Sequence, residues 1–149
     1  MIRDQQRLDA ALATVRDVVR NSWHKQEEEV DRTGQLPEAV VQEMRDRGLF
    51  SFGVPEEYGG MGMTCEELAH INMEVSQSAL SFRTRLSNNI GIGVVPFLVE
   101  GTDEQKRYYL PRIATGEIIP AFAVSELDIG GSQATKMRTS ARREGNGWV

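Results

Sequence analysis

Few side chains in this sequence have the types and spacing that chemistry requires. His24 and His70 lie far apart, with the single cysteine, Cys65, close to only one of them. No set of His, Cys and carboxylates falls at metal-ligand spacing, so no metal site is expected. Both histidines read as structural or surface residues. There is no Gly-x-Ser-x-Gly elbow for a hydrolase nucleophile. Gly59-Gly60-Met61-Gly62 lacks the Lys-Ser/Thr that completes a phosphate loop, and reads as a tight loop between helices. The segment Phe122-Ala123-Val124-Ser125-Glu126-Leu127-Asp128-Ile129-Gly130-Gly131-Ser132 is richer. There a β-prone run enters a small-residue loop with two hydroxyls and free backbone N–H groups. That combination suits a phosphate or the polar edge of a ring. On spacing alone an ordinary turn is the stronger reading.

The elements that would position these residues are mostly helical. Leu8, Leu12, Val15 and Val19 fall on one helical face that extends toward Trp23. Glu27-Glu28-Glu29 reads as a solvated helix end, and Thr33-Gly34 breaks the pattern. A second helix runs from Pro37 to a stop at Gly48, burying Val40, Val41 and Met44. The Gly- and Pro-rich stretch from Phe50 to Gly62 predicts a structured loop. Thr64 with Glu67 is a capping box for a helix that buries Leu68, Ile71 and Val75, and Thr102 with Gln105 is another. Between them, Leu80 to Val99 predicts one long buried helix, with Gly91 and Gly93 allowing close packing or a bound ligand. The helix after Thr102 is expected to stop near Leu110, because Pro111 disfavours helix before it, with one short turn continuing to Gly116.

Past Gly116 the pattern changes. Ile118 to Val124 and Met137 to Arg142 predict short strands. Glu144-Gly145-Asn146-Gly147 is a hairpin signal, and Trp148-Val149 opens a further strand. Two or three strands do not make a stable sheet alone. The expected fold is therefore mainly α: a helical domain over residues 1–117 joined to the first strands of an incomplete β-domain over 118–149.

The chain of 149 residues is long enough for a core without disulfides or metal. A net charge of −5 argues against nucleic-acid or anionic-membrane binding. No apolar run suffices to span a bilayer, and the polar N-terminus lacks a signal-peptide core. With one cysteine, a reducing, cytoplasmic setting is the expectation.

Several segments, in order, resemble the N-terminal part of acyl-CoA dehydrogenases. They are Leu36-Pro37 with Gly48-Leu49; Val54-Pro55-Glu56-Glu57-Tyr58-Gly59-Gly60-Met61-Gly62; Gly101-Thr102-Asp103-Glu104-Gln105-Lys106; Tyr109-Leu110-Pro111; and Ala121-Phe122-Ala123-Val124-Ser125-Glu126. The resemblance implies an FAD-dependent oxidation of acyl-CoA thioesters to 2,3-enoyl-CoA. It implies a helical domain, a β-domain and a C-terminal helical domain, with the flavin between the last two. The positions matching the family's flavin contacts are Phe122, Val124, Ser125, Gly131 and Ser132. Leu127 stands where the family has proline, and the loop carries one extra residue.

The helix over Leu80 to Val99 corresponds to the floor of the family's acyl pocket, where Thr84, Asn88 and Ile92 recur one turn apart. Phe82-Arg83-Thr84 resembles the glutaryl-CoA dehydrogenase branch, in which an arginine here pairs with a distal substrate carboxylate. The resemblance thus offers Arg83 for a polar acyl tail; pairing of Arg83 with a structural acid, or Arg85 as the inward arginine, are the alternatives. No glutamate matches the family's catalytic base, so no catalytic residue is expected in this chain, and the isolated chain is expected to be inactive. A homo-oligomer and an electron-transfer flavoprotein partner are implied for the full-length form. The alternative is a non-catalytic helical binding or interaction module that keeps the N-terminal fold.

Overall fold

The structure is a computed structural model that describes residues 1–127 and 133–149. Seven α-helices carry the described fold: α1 (Gln5–Asn21), α2 (Glu27–Thr33), α3 (Glu38–Asp46), α4 (Cys65–Val75), α5 (Leu80–Ser87), α6 (Val95–Glu100) and α7 (Asp103–Thr115). One antiparallel hairpin follows, pairing β1 (Arg143–Glu144) with β2 (Gly147–Trp148). The expected class holds: a mainly helical bundle followed by a small, open, two-stranded sheet.

The helix starts are where local chemistry is clearest. Asp4 caps α1 by accepting from the Arg7 N–H. Thr64 and Thr102 cap α4 and α7, and both capping boxes close reciprocally through Glu67 and Gln105. Each satisfies orphan donors of the first turn. Val15, Val18 and Val19 of α1 pack with Ile71 and Val75 of α4 and with Val40, Val41 and Met44 of α3. Trp23 and Phe82, both fully buried, stack with centroids 5.2 Å apart and so tie α5 to the end of α1.

Glu67 does more than cap its own helix. Its carboxylate accepts from the Thr64 N–H at 2.7 Å and from the Arg3 and Asp4 N–H groups at 2.8 and 3.2 Å. One buried carboxylate thus joins the starts of α1 and α4. The Thr64 N–H, followed by that of Arg3, holds its pKa down to about 2, outweighing the burial that would raise it.

The structure differs from four sequence expectations. Glu27-Glu28-Glu29 opens a separate helix, and the Glu27 carboxylate accepts from the Ala79 N–H at 2.8 Å. Leu80 to Val99 is not one buried helix: α5 passes into a π-helical turn, Asn88–Ile92, before α6. Along that stretch Leu80, Ile92, Val95 and Val99 are exposed. Helix α7 runs through Pro111 to Thr115. A proline inside a helix costs ~3 kcal/mol, which burial of Leu110, Ile113 and Ala114 offsets. Ile118 to Val124 and Met137 to Arg142 are not assigned as strands. A strand needs a neighbour, and among the described residues the pairing runs from Arg142 to Val149, which exchange bonds of 2.8 and 3.0 Å beyond the hairpin.

The Glu67 clamp predicts a pH signature. Its folded pKa lies below the usual value of 4.5, so its stabilisation is complete above that value and is lost as pH falls toward 2. Glu67→Gln leaves one acceptor oxygen for three N–H groups and should cost about 1–3 kcal/mol at neutral pH. Urea unfolding at descending pH should show the two proteins converging through this window; a constant gap would contradict the assignment.

Candidate functional site

An open cleft of about 470 Å³ lies between the α2–α3 connection and α5. Gly34 and Leu36 form one side; Leu80, Ser81, Thr84, Arg85 and Asn88 form the other. Residues 81, 84, 85 and 88 share one helical face by their spacing. Arg85 and Asn88 are half-buried. Thr84 and Asn88, two of the four sequence-picked substrate residues, are thus brought together. Ile92 lies beyond the cleft on the π turn and is exposed. Arg83 is half-buried and is not among the lining residues; Arg85 is.

The π turn ties this helix to the flank of the bundle. Gly93 N–H donates to the Asn88 carbonyl at 2.7 Å, the i→i+5 bond that defines it. Asn89, fully buried, donates from Nδ2 to the carbonyls of Ile113 at 3.2 Å and Ile118 at 3.1 Å. Its Oδ1 is buried without a protein partner among the described residues. Two glycines let backbone approach backbone here. A Cβ on Gly53 would overlap the Ile90 carbonyl, and one on Gly93 would overlap the Pro120 ring. The turn therefore fixes both α5 and the point where the chain leaves α7. Sequence reasoning noted Gly93 as a close-packing position but missed Asn89 and Gly53, whose partners are distant in sequence.

From Ile118 the chain leads to the sequence-picked cofactor residues. Phe122 is 66% exposed, Ser125 is exposed, and Val124 is half-buried. Residues 121–125 make no backbone hydrogen bonds among the described residues. Among the described residues, the segment offers an exposed aromatic side chain and a hydroxyl, groups of the kind that one wall of a flavin site uses. It does not enclose one. Gly131 and Ser132 lie outside the described residues. Glu126 belongs to the framework: its carboxylate accepts from the N–H groups of Arg138 and Thr139, and those bonds, led by the contact with Thr139, lower its pKa.

Two other candidates are spoken for. Gly60 and Gly62 N–H groups donate to the Pro55 and Val54 carbonyls, so that loop has no donors left to cradle a phosphate. His24 lies 3.0 Å from the Gln77 carbonyl, a structural contact. No described helix is long and apolar enough to cross a membrane.

Comparison with known proteins places this fold among the flavin-dependent dehydrogenases. A glutaryl-CoA dehydrogenase from Mycobacterium smegmatis, solved in complex with FADH2, superposes with a TM-score of 0.84 at 30% identity, over 97% of this chain and 37% of that one. The chain belongs to the acyl-CoA dehydrogenase family, residues 5–117 matching its N-terminal domain. It is 37% identical over 122 residues to a 3-(aryl)acrylate reductase of Clostridium sporogenes, covering 82% of this chain and 32% of that protein. It is 31% identical over 153 aligned positions to a (2S)-methylsuccinyl-CoA dehydrogenase of Cereibacter sphaeroides, covering 95% and 26%. The chain therefore spans a third or less of the length of these two curated relatives.

The two glycines of the π turn make opposite predictions. Gly91 has open space where a Cβ would stand, so Gly91→Ala should be neutral or stabilising by about 0.4–1 kcal/mol. Gly93→Ala should destabilise by about 1–3 kcal/mol, because Pro120 and the turn must move apart. Equal effects in urea unfolding would contradict the close approach at Pro120.

Proposed function

We propose that this chain forms the N-terminal part of an FAD-dependent enzyme that oxidises acyl-CoA thioesters between Cα and Cβ. The observation that carries this reading is the match of residues 5–117 to the acyl-CoA dehydrogenase N-terminal domain. In this reading residues 1–117 are the helical domain and 118–149 the start of the β-domain. FAD, when bound, supplies the acceptor for the hydride leaving the substrate. This chain's residues bind and orient. Thr84, Asn88 and Ile92 form a wall for the acyl chain, and Arg83 stands beside it as the residue that resemblance assigns to a polar tail. Phe122, Val124 and Ser125, with Gly131 and Ser132, contribute one side of the flavin site. The base that takes the α-proton lies outside this chain, so the 149 residues alone bind without turning over. In the complete protein we place a homo-oligomer that passes electrons to an electron-transfer flavoprotein, in the cytoplasm.

The test is an anaerobic acyl-CoA titration of the complete, FAD-loaded protein, followed by bleaching of its flavin absorbance. Bleaching supports the reading. A protein that takes up no flavin is instead a helical binding module. Ser125→Ala should weaken FAD by about 0.5–1.5 kcal/mol, the net value of one hydrogen bond. Unchanged affinity by flavin fluorescence would remove Ser125 from the site.

A further inference from the structure

We infer that Glu27 and His24 are positioning residues for the proposed acyl wall: from the junction of α1 and α2 they hold the start of α5, and so decide which of its residues face the cleft. The inference rests on the acyl-CoA reading above and names what keeps that wall in place.

Helix α5 does little to place itself. It has eight residues, about two turns, and its N-cap Ala79 makes no side-chain cap bond. Of its residues Phe82 and Leu86 are buried, one turn apart. A slip of one residue rotates a helical face by about 100°, enough to carry Thr84 out of the cleft. The hold therefore comes from outside the helix, and the stretch from Trp23 to Glu27 supplies it. Trp23 stacks on Phe82 with an interplanar angle of 7°. The Ala79 N–H has no helical acceptor, and the Glu27 carboxylate accepts from it at 2.8 Å. His24 Nε2 lies 3.0 Å from the Gln77 carbonyl, which accepts from the Nε2–H form of the ring. His24 and Glu27 are themselves 4.0 Å apart. The turn from Gln77 to Ala79 is thereby held through a carbonyl and an N–H before α5 begins.

The same short element carries the other side of the cleft. Helix α2 starts at Glu27, ends at Thr33 and passes through its C-cap Gly34 toward Leu36. Gly34 and Leu36 face Leu80, Thr84 and Asn88 across the cleft. The 7 residues of α2 span ~10 Å. The grip on α5 and the wall opposite it are thus the two ends of one short rod, and the gap between the walls is set through Glu27 and His24. Trp23 is fully buried and serves the core as well. The side chains of His24 and Glu27 remain 41% and 33% exposed, so their contacts add little buried area. Their removal costs the cleft its alignment more than it costs the bundle its stability.

The first measurement needs neither flavin nor substrate: backbone amide shifts and exchange rates of the ¹⁵N-labelled 149-residue chain. Glu27→Ala should speed exchange of the Ala79 N–H about 10-fold or more and shift the amides of Gly34, Thr84 and Asn88. Glu27→Gln, which keeps the side-chain length and one acceptor oxygen, should recover most of both effects and guards against misfolding of the alanine variant. Glu28→Ala removes the same charge from the same first turn of α2 and should do neither. The second measurement titrates the complete, FAD-loaded protein anaerobically with butyryl-CoA, glutaryl-CoA and 3-phenylpropionyl-CoA, and follows flavin bleaching by the tightest of them. Glu27→Ala and His24→Ala should each raise its midpoint about 3- to 10-fold, the loss that follows when the aligned wall is populated a third to a tenth of the time. Glu27→Gln should fall between, and Glu28→Ala should stay within about a factor of two of the wild type. An Ala79 N–H that exchanges alike in wild type and Glu27→Ala overturns the hold on α5. Faster exchange in that variant with an unchanged bleaching midpoint leaves a hold without a positioning role, and overturns the inference alone. A wild-type protein that none of these thioesters bleaches overturns the acyl-CoA reading, and the assignment of the wall falls with it, while the exchange result stands.

Discussion

The Asn89 carboxamide holds together the parts of this chain that matter for function. It sits inside a π turn, fully buried, and its two N–H groups are spent on carbonyls at the end of α7 and at the start of the segment that leads to Phe122. A buried amide bonded at both hydrogens resists displacement, because each lost bond leaves a desolvated carbonyl behind. The turn also presses its Ile90 carbonyl against Gly53 and its Gly93 against Pro120. Four chain segments therefore meet at five residues. Thr84 and Arg85 lie just before the turn on α5, Asn88 opens it, and the flavin-wall candidates follow Pro120 directly. The relative placement of the proposed acyl and flavin walls is decided at this one point.

The rest of the bundle supplies rigidity to that junction. Trp23 stacked on Phe82 anchors α5 from one side. Val94, Leu110 and Ile113, packed with Val54, anchor α6 and α7 from the other. Glu67 fastens the starts of α1 and α4, so those two helices cannot slide along one another without breaking bonds to a buried carboxylate. Such local over-determination is what allows a π turn to persist, since its backbone geometry is poorer than that of an α-helix.

Much of this was legible in the sequence where its causes are local. Thr64 with Glu67 and Thr102 with Gln105 announced two helix starts, and both boxes are present. The Leu8–Val19 stripe announced α1, and Gly145-Asn146 the hairpin. What escaped detection depends on partners far along the chain. The break between α5 and α6 follows from the contacts of Asn89 and Gly53, 24 and more residues away. Helix α7 survives Pro111 because its last turn is buried against residues no window of sequence contains. Strand propensity at Ile118–Val124 remained unused, with no neighbouring strand among the described residues. At the candidate site, the family resemblance named Thr84 and Asn88, and both line the cleft. Arg85 lines the cleft and Arg83 does not, a helix phase that the short, weakly amphipathic α5 does not reveal in its sequence.

The most direct measurement is the exchange rate of the Asn89 side-chain amide protons by NMR. The account predicts a pair of resonances exchanging far more slowly than those of an exposed amide such as Gln5, with couplings across hydrogen bonds to the Ile113 and Ile118 carbonyls. Rapid exchange at Asn89, equal to that of the exposed amides, would show that the π turn is not held to the flavin-side segment, and the shared placement of the two walls would lose its basis.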